Sequence, residues 1–107
     1  MMTDEALRRQ IAALAKDSSR VVITNHMAAR MVERNVSDTQ VFEVLRKGTV
    51  CEPAHLNIHG NWKCNLERTT AGDLVRVTCV VDDDSDPSGT VVVVKTVMKP
   101  VARPRKR

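Results

Sequence analysis

Residues 37–50, SDTQVFEVLRKGTV, hold the point where the chain changes from one kind of secondary structure to another. Ser37 and Gln40 make an S-x-x-Q capping box, in which each residue satisfies a backbone N–H that the first helical turn leaves open. Val41, Val44 and Leu45 follow at helical spacing, and Gly48 stands where a helix C-cap belongs. From residue 49 the pattern becomes β. TVCEPAHLNI (49–58), WKCNLERT (62–69), LVRVTCVVD (74–82) and TVVVVKTVM (90–98) are separated by His59-Gly60-Asn61, Ala71-Gly72-Asp73 and the DDSDPSG loop at 83–89. These separators carry the Gly, Asn, Asp and Pro that tight turns require. A four-stranded antiparallel meander is the expected sheet. The VVVV run lacks alternation and points to a central strand covered at least partly on both faces.

Upstream of this boundary, residues 3–16 read as a helix. Thr3 suits its cap, Asp4 and Glu5 suit its positive end, and Leu7, Ile11 and Leu14 form an apolar stripe. RVVIT (20–24) is short, β-branched and apolar, the signature of a first strand. A second helix is expected from near Asn25, as its cap, to about Arg34. The fold class is therefore α+β, with an N-terminal helix, a short strand, a helix pair and the meander. Residues 1–19 read as a helical extension, 20–99 as the domain, and 100–107 as a basic flexible tail.

The chain has 107 residues, enough for one hydrophobic core and not for two. Its formal charge is +4, from 17 Lys and Arg against 13 Asp and Glu, which leans toward an anionic partner. No acidic residue follows Asp86, whereas Lys95, Lys99, Arg103, Arg105, Lys106 and Arg107 all do. The N-terminal MMTDEALRRQ has no apolar core of a signal peptide, and no run reaches the roughly 18 apolar residues of a membrane span. Cys51, Cys64 and Cys79 form no C-x-x-C and cannot all pair, so a reducing cytoplasm is the expected location. With one Phe, one Trp and no Tyr, the chain lacks the aromatic platforms on which single-stranded nucleic acids stack.

His26, Arg30 and Arg34 stand four residues apart on the second helix. At 100° per residue they fall within an arc of roughly 80° on one face. Met27, Ala28, Met31 and Val32 take the other side and can pack on a sheet. Such a stripe can be a solvated face, its arginines paired with Glu33 or with acids of the next helix. It can also grip phosphate. Arginine offers a fixed fork of donors, and histidine takes or gives a proton at neutral pH. Metal-free RNA cleavage needs a base for the 2′-hydroxyl, an acid for the leaving oxygen, and cations for the charge that develops on phosphorus. Lys95, on the last strand, adds a further cation of the required kind.

The stretch TNHMAARMVERNVSDTQVFEVLRKG (24–48) resembles the T-x-H-A-x-x-R-M-x-x-R pattern of a small bacterial domain family of unknown function, itself similar to BrnT-type and RelE-type ribonuclease toxins. The likeness spans roughly residues 20 to 98, with Gly48 closing the second core helix and the last strand ending in KTVM. It implies a strand, two helices and an antiparallel sheet. It implies functional positions at His26, Arg30 and Arg34, with Lys95 or Thr96 contributed by the last strand. It also implies a protein partner that covers the site and neutralises it. Two departures stand out: Met27 replaces an alanine, and the chain has no tyrosine, a residue some RelE-type enzymes use in the active site.

Other constellations weigh less. Cys51, His55, His59 and Cys64 form C-x3-H-x3-H-x4-C, a mixture of zinc-ligand types. Four residues of extended strand span about 13 Å, however, so these side chains meet at one ion only if Pro53 bends the chain. Polar positions on a hairpin are the expected reading, and no metal or cofactor is expected. DDDSD (82–86) starts like a calcium loop, but Pro87 occupies the place of the turn glycine and no glutamate closes it. Trp62 reads as a packing anchor beside a hairpin turn. The basic tail is either a solubilising arm or an electrostatic hook for RNA.

The leading expectation is a metal-independent endoribonuclease of toxin–antitoxin type. His26 would be the general acid or base, Arg30 and Arg34 would hold the scissile phosphate, and Lys95 would offset the developing charge. Thr96, Arg76 and Lys63 complete the candidate binding residues. RNA or the ribosome is the expected target. The alternative is a non-catalytic RNA- or protein-binding module on the same scaffold, such as a phage-encoded inhibitor of a nucleoprotein machine. The missing tyrosine favours the binder, and His26 within the arginine stripe favours the enzyme. A zinc-stabilised interaction domain is a third, weaker reading.

Overall fold

In the computed structural model, which describes residues 3–83 and 89–100, each helix starts on a hydroxyl. Thr3 Oγ1 accepts from the Ala6 amide at 3.0 Å and opens α1, Asp4–Ala15. Leu7, Ile11 and Ala15 are fully buried on one side of it. Burying a leucine or isoleucine stabilises by about 1.5–3 kcal/mol, so packing rather than intrinsic propensity holds this short helix. The Arg46 guanidinium donates to the Ala15 carbonyl at 2.8 Å, satisfying an open helix end. A single 3₁₀ turn, Ser18–Arg20, then leads into β1, Val21–Val22.

Helix α2 runs Asn25–Glu33, and its cap is Thr24 rather than Asn25. Thr24 is extended (φ −70°, ψ 162°), and its hydroxyl accepts from the Met27 amide at 3.2 Å. Helix α3 runs Asp38–Lys47 with both arms of the Ser37/Gln40 capping box formed. Gln40 is itself buried; its amide nitrogen donates to the Thr70 carbonyl at 3.0 Å and to Asp73 at 3.1 Å, pinning the start of α3 to a hairpin.

The β segment contains β2 (Thr49–Leu56), β3 (Trp62–Thr70), β4 (Asp73–Asp82) and β5 (Val91–Met98). Ala71 and Gly72 both have positive φ, at 52° and 84°, the backbone of a two-residue type I′ turn between β3 and β4. The sheet differs from the expected four-stranded meander. It has five strands in the order β1-β5-β4-β3-β2, and β1 lies parallel to β5 through Val21–Val92 and Val22–Val93. Parallel neighbours are joined by long crossovers, and a two-residue strand carries no periodicity that could reveal a partner some 70 residues on. The other pairings are antiparallel.

Buried side chains of all three helices meet Cys64, Leu66, Val75, Val77, Cys79, Val81, Val92, Val94 and Val97 in one core. The helices thus cover one face of the sheet. Alternation sends Lys63, Asn65, Thr78, Val80 and Val93 to the other face, where no helix lies among the described residues. Within VVVV, Val91, Val92 and Val94 are buried and Val93 is half-buried. The basic tail 101–107 and most of the acidic loop, 84–88, lie outside the described residues.

Candidate functional site

Helix α2 turns Met27 and Met31 into the core, which leaves His26, Arg30 and Arg34 exposed on its outer surface. The two arginines are in different circumstances. Arg30 pairs with Glu33 one turn on, at 3.3 Å, both side chains being well exposed. A pair of this kind contributes little and yields readily to a better anion. Arg34 instead donates from Nη1 to the carbonyl oxygen of Val97 on β5 at 2.7 Å. β1 stops opposite Val93, so β5 from Val94 onward has no strand beside it on that edge, and Arg34 fastens α2 there.

Lys95 is not part of this surface. The register passes from Thr78–Thr96 to Cys79–Val94, so Lys95 is an extra residue on β5, a β-bulge. Its exposed side chain lines a groove of about 330 Å³ together with Asn57, His59, Asn61, Val80, Asp82 and Val93. Val80 and Val93 are cross-strand partners on the face away from the helices. The structure therefore joins the stripe to β5 through Arg34 but sends Lys95 to the open face of the sheet.

The remaining candidates share that open face. Lys63 stands beside Val80, and Thr96 beside Thr78, whose hydroxyl donates to the Asn65 carboxamide. Arg76 is committed to Glu67 opposite it, with Nε and Nη2 both donating to Oε2 at 3.1 and 3.0 Å, and this bonding raises its guanidinium pKa. Sequence reading missed the part played by the β2–β3 loop. The Asn57 carboxamide accepts from the amides of His59 and Asn61 at 2.9 and 3.0 Å, and Gly60 has φ 81°, so a built turn carries His59 and Asn61 into the groove. The Asn-x-x-Gly-Asn spacing was the available signal.

The cysteine–histidine series does not converge. Cys64 is fully buried in the helix-side core, while Cys51 sits half-buried at a bulge of β2 and donates to the Asn65 carbonyl at 3.4 Å. Among the described residues, no three His, Cys, Asp or Glu side chains are placed to hold a metal ion. Burial pushes the Cys64 thiol up to about 11 and raises Cys79 further still. For Cys51 the direction is also upward, chiefly from burial and then from the Glu67 charge. None of the three has the character of an activated nucleophile.

A family model described as a domain of unknown function, DUF4258, matches residues 23–99, which cover α2, α3 and strands β2 to β5. No curated protein and no solved structure matches the chain. Among the described residues no helix is long and apolar enough to cross a membrane.

Proposed function

The chain belongs to the DUF4258 family, a domain of unknown function, and from its own side chains we propose a metal-independent endoribonuclease of toxin type on a RelE- or BrnT-like scaffold. One observation carries this reading: His26 and Arg30 lie exposed one turn apart on a helix that buries only Met27 and Met31, Ala28 and Val32 being exposed rather than packed on the sheet. In the proposed step His26 takes the proton of a ribose 2′-hydroxyl, and that oxygen attacks the adjacent phosphorus. The bond to the 5′-oxygen breaks, leaving a 2′,3′-cyclic phosphate, and the departing 5′-oxygen takes a proton from water while protonated His26 returns its own to solvent. Arg30, released from Glu33, meets the phosphate oxygens. Arg34 holds the helix against β5 and offers its remaining N–H groups. Because Lys95 lies on the open sheet face, its contribution in this reading is to RNA binding rather than to charge at the reacting phosphorus.

The proposed setting is the cytoplasm, with RNA or the ribosome as target. A neutralising protein partner would present acidic groups to the α2 surface. The second reading, a non-catalytic binder, draws on the same placement of Lys95, which takes the expected lysine away from the His26 surface. The two are separated by incubating a mixed RNA with purified protein in EDTA, with and without ribosomes, for wild type, His26→Ala and Arg30→Ala. The nuclease reading expects cleavage that falls at least about a hundredfold in His26→Ala and about tenfold or more in Arg30→Ala, with circular dichroism unchanged. RNA binding without cleavage in either condition would leave the binder.

A further inference from the structure

The groove on the open sheet face has a graded chemistry that the helix stripe does not explain. The register of β4 and β5 fixes its order along the strands: Asp82 opposite Val91 at one end, the Val80–Val93 pair in the middle, and bulged Lys95 at the other. Val91 and Lys95 are four residues apart, about 13 Å of strand. The floor is aliphatic and the ends carry opposite charges. Above it, the Asn57–Asn61 turn supplies the His59 imidazole and the Asn61 carboxamide. Among the described residues neither Lys95 nor Lys63, which flanks the floor on β3, has an ion-pair or hydrogen-bond partner. A bulge that re-aims a lysine into such a groove is the kind of irregularity found beside binding sites.

We propose that this groove is a nucleotide subsite for single-stranded RNA, which deepens the RNA reading above. Lys95 holds one phosphate, the base lies on the Val80–Val93 floor, and His59 and Asn61 meet its polar edge. The Asp82 carboxylate disfavours a phosphate at its end, so the nucleotide has one orientation. Lys63 meets the next phosphate of the chain. Recognition by amide edges over an aliphatic floor suits a protein with no tyrosine and a single tryptophan that packs toward the core.

The test is amide chemical-shift mapping on the full-length, ¹⁵N-labelled protein with adenosine 5′-monophosphate, orthophosphate and a hexaribonucleotide. Saturable shifts at Val80, Val93 and Asn61 are expected with the mononucleotide, and tighter binding with the hexamer. Lys95→Gln is expected to weaken both roughly tenfold and Asn61→Ala to weaken the mononucleotide. Lys47→Gln, which removes an exposed charge on α3, controls for net charge and stays within about twofold. Absence of saturable shifts, or shifts confined to α2, would overturn the proposal. So would orthophosphate binding as tightly as the mononucleotide, or the mononucleotide binding as tightly as the hexamer. The map is read on binding alone, so a failed cleavage assay does not decide it.

Discussion

A Cβ added at Gly48 would stand 2.4 Å from the Val44 carbonyl oxygen and 3.2 Å from that of Glu67. The backbone there is ordinary, with φ −70° and ψ 165°, so this glycine is required for room and not for the left-handed conformation of a common helix stop. Ala71 is the reverse case: it is exposed but sits at φ 52°, where a side chain other than Asn or Asp is strained. Opposite outcomes follow from urea unfolding. Gly48→Ala is expected to lose about 1–3 kcal/mol, because backbone on both sides must give way. Ala71→Asn is expected to gain about 0.5–1 kcal/mol, since Asn-Gly is the favoured pair for this turn. The position of Gly48 was legible from its spacing behind the capping box. Its reason was not, because the Glu67 carbonyl arrives from another strand.

At the scale of elements, the joint between α2 and β5 decides what the arginine stripe means. Arg34 spends one donor on the Val97 carbonyl, whereas the Arg30 guanidinium pairs with the exposed Glu33. Arg34→Ala is therefore expected to cost about 1–2 kcal/mol of stability, and Arg30→Ala under about 0.5 kcal/mol. Equal, negligible losses in urea would mean that Arg34 does not fasten the helix. This matters for function, since only Arg30 then gives a clean reading in an RNA assay. The stripe itself was legible because helical spacing fixes a face. The side of the sheet taken by Lys95 was not. Strict alternation would pair Val97 with Val93 and Lys95, yet Val97 joins Val92 and Val94 in the core, since the bulge at Lys95 resets the period. Nothing in VVVVKTVM marks that slip. β1 was legible as a strand, but two residues carry too little pattern to show its place beside β5.

Over the whole molecule, ionisable groups bracket a neutral plateau of stability from both sides. Glu5 is held down to about 2 by hydrogen bonds from Arg8 and then Arg9. Asp73 is lowered by Gln40 and then Lys99, and Asp17 by Ser19. Groups lowered in the folded state contribute fully above their unfolded values, near pH 4, and lose that contribution as pH falls toward the folded ones. The thiols act in the opposite sense. Cys64 rises from 9.0 to about 11, and Cys79, directly opposite it on β4, rises further. Below pH 9 both states keep these protons and nothing is lost. Above it the unfolded chain ionises first, and stability falls by about 1.4 kcal/mol per pH unit for each thiol until the folded form follows. Urea midpoints are thus expected to be level from about pH 5 to 8, to drop gently in acid, and to drop steeply between pH 9 and 11. The comparison that isolates the thiols is with Cys64→Ala/Cys79→Ala. That variant starts less stable, from the volume it gives up, but its decline over pH 9 to 10.5 is expected to be clearly shallower. Parallel declines would show that burial of the two thiols does not set the alkaline limit.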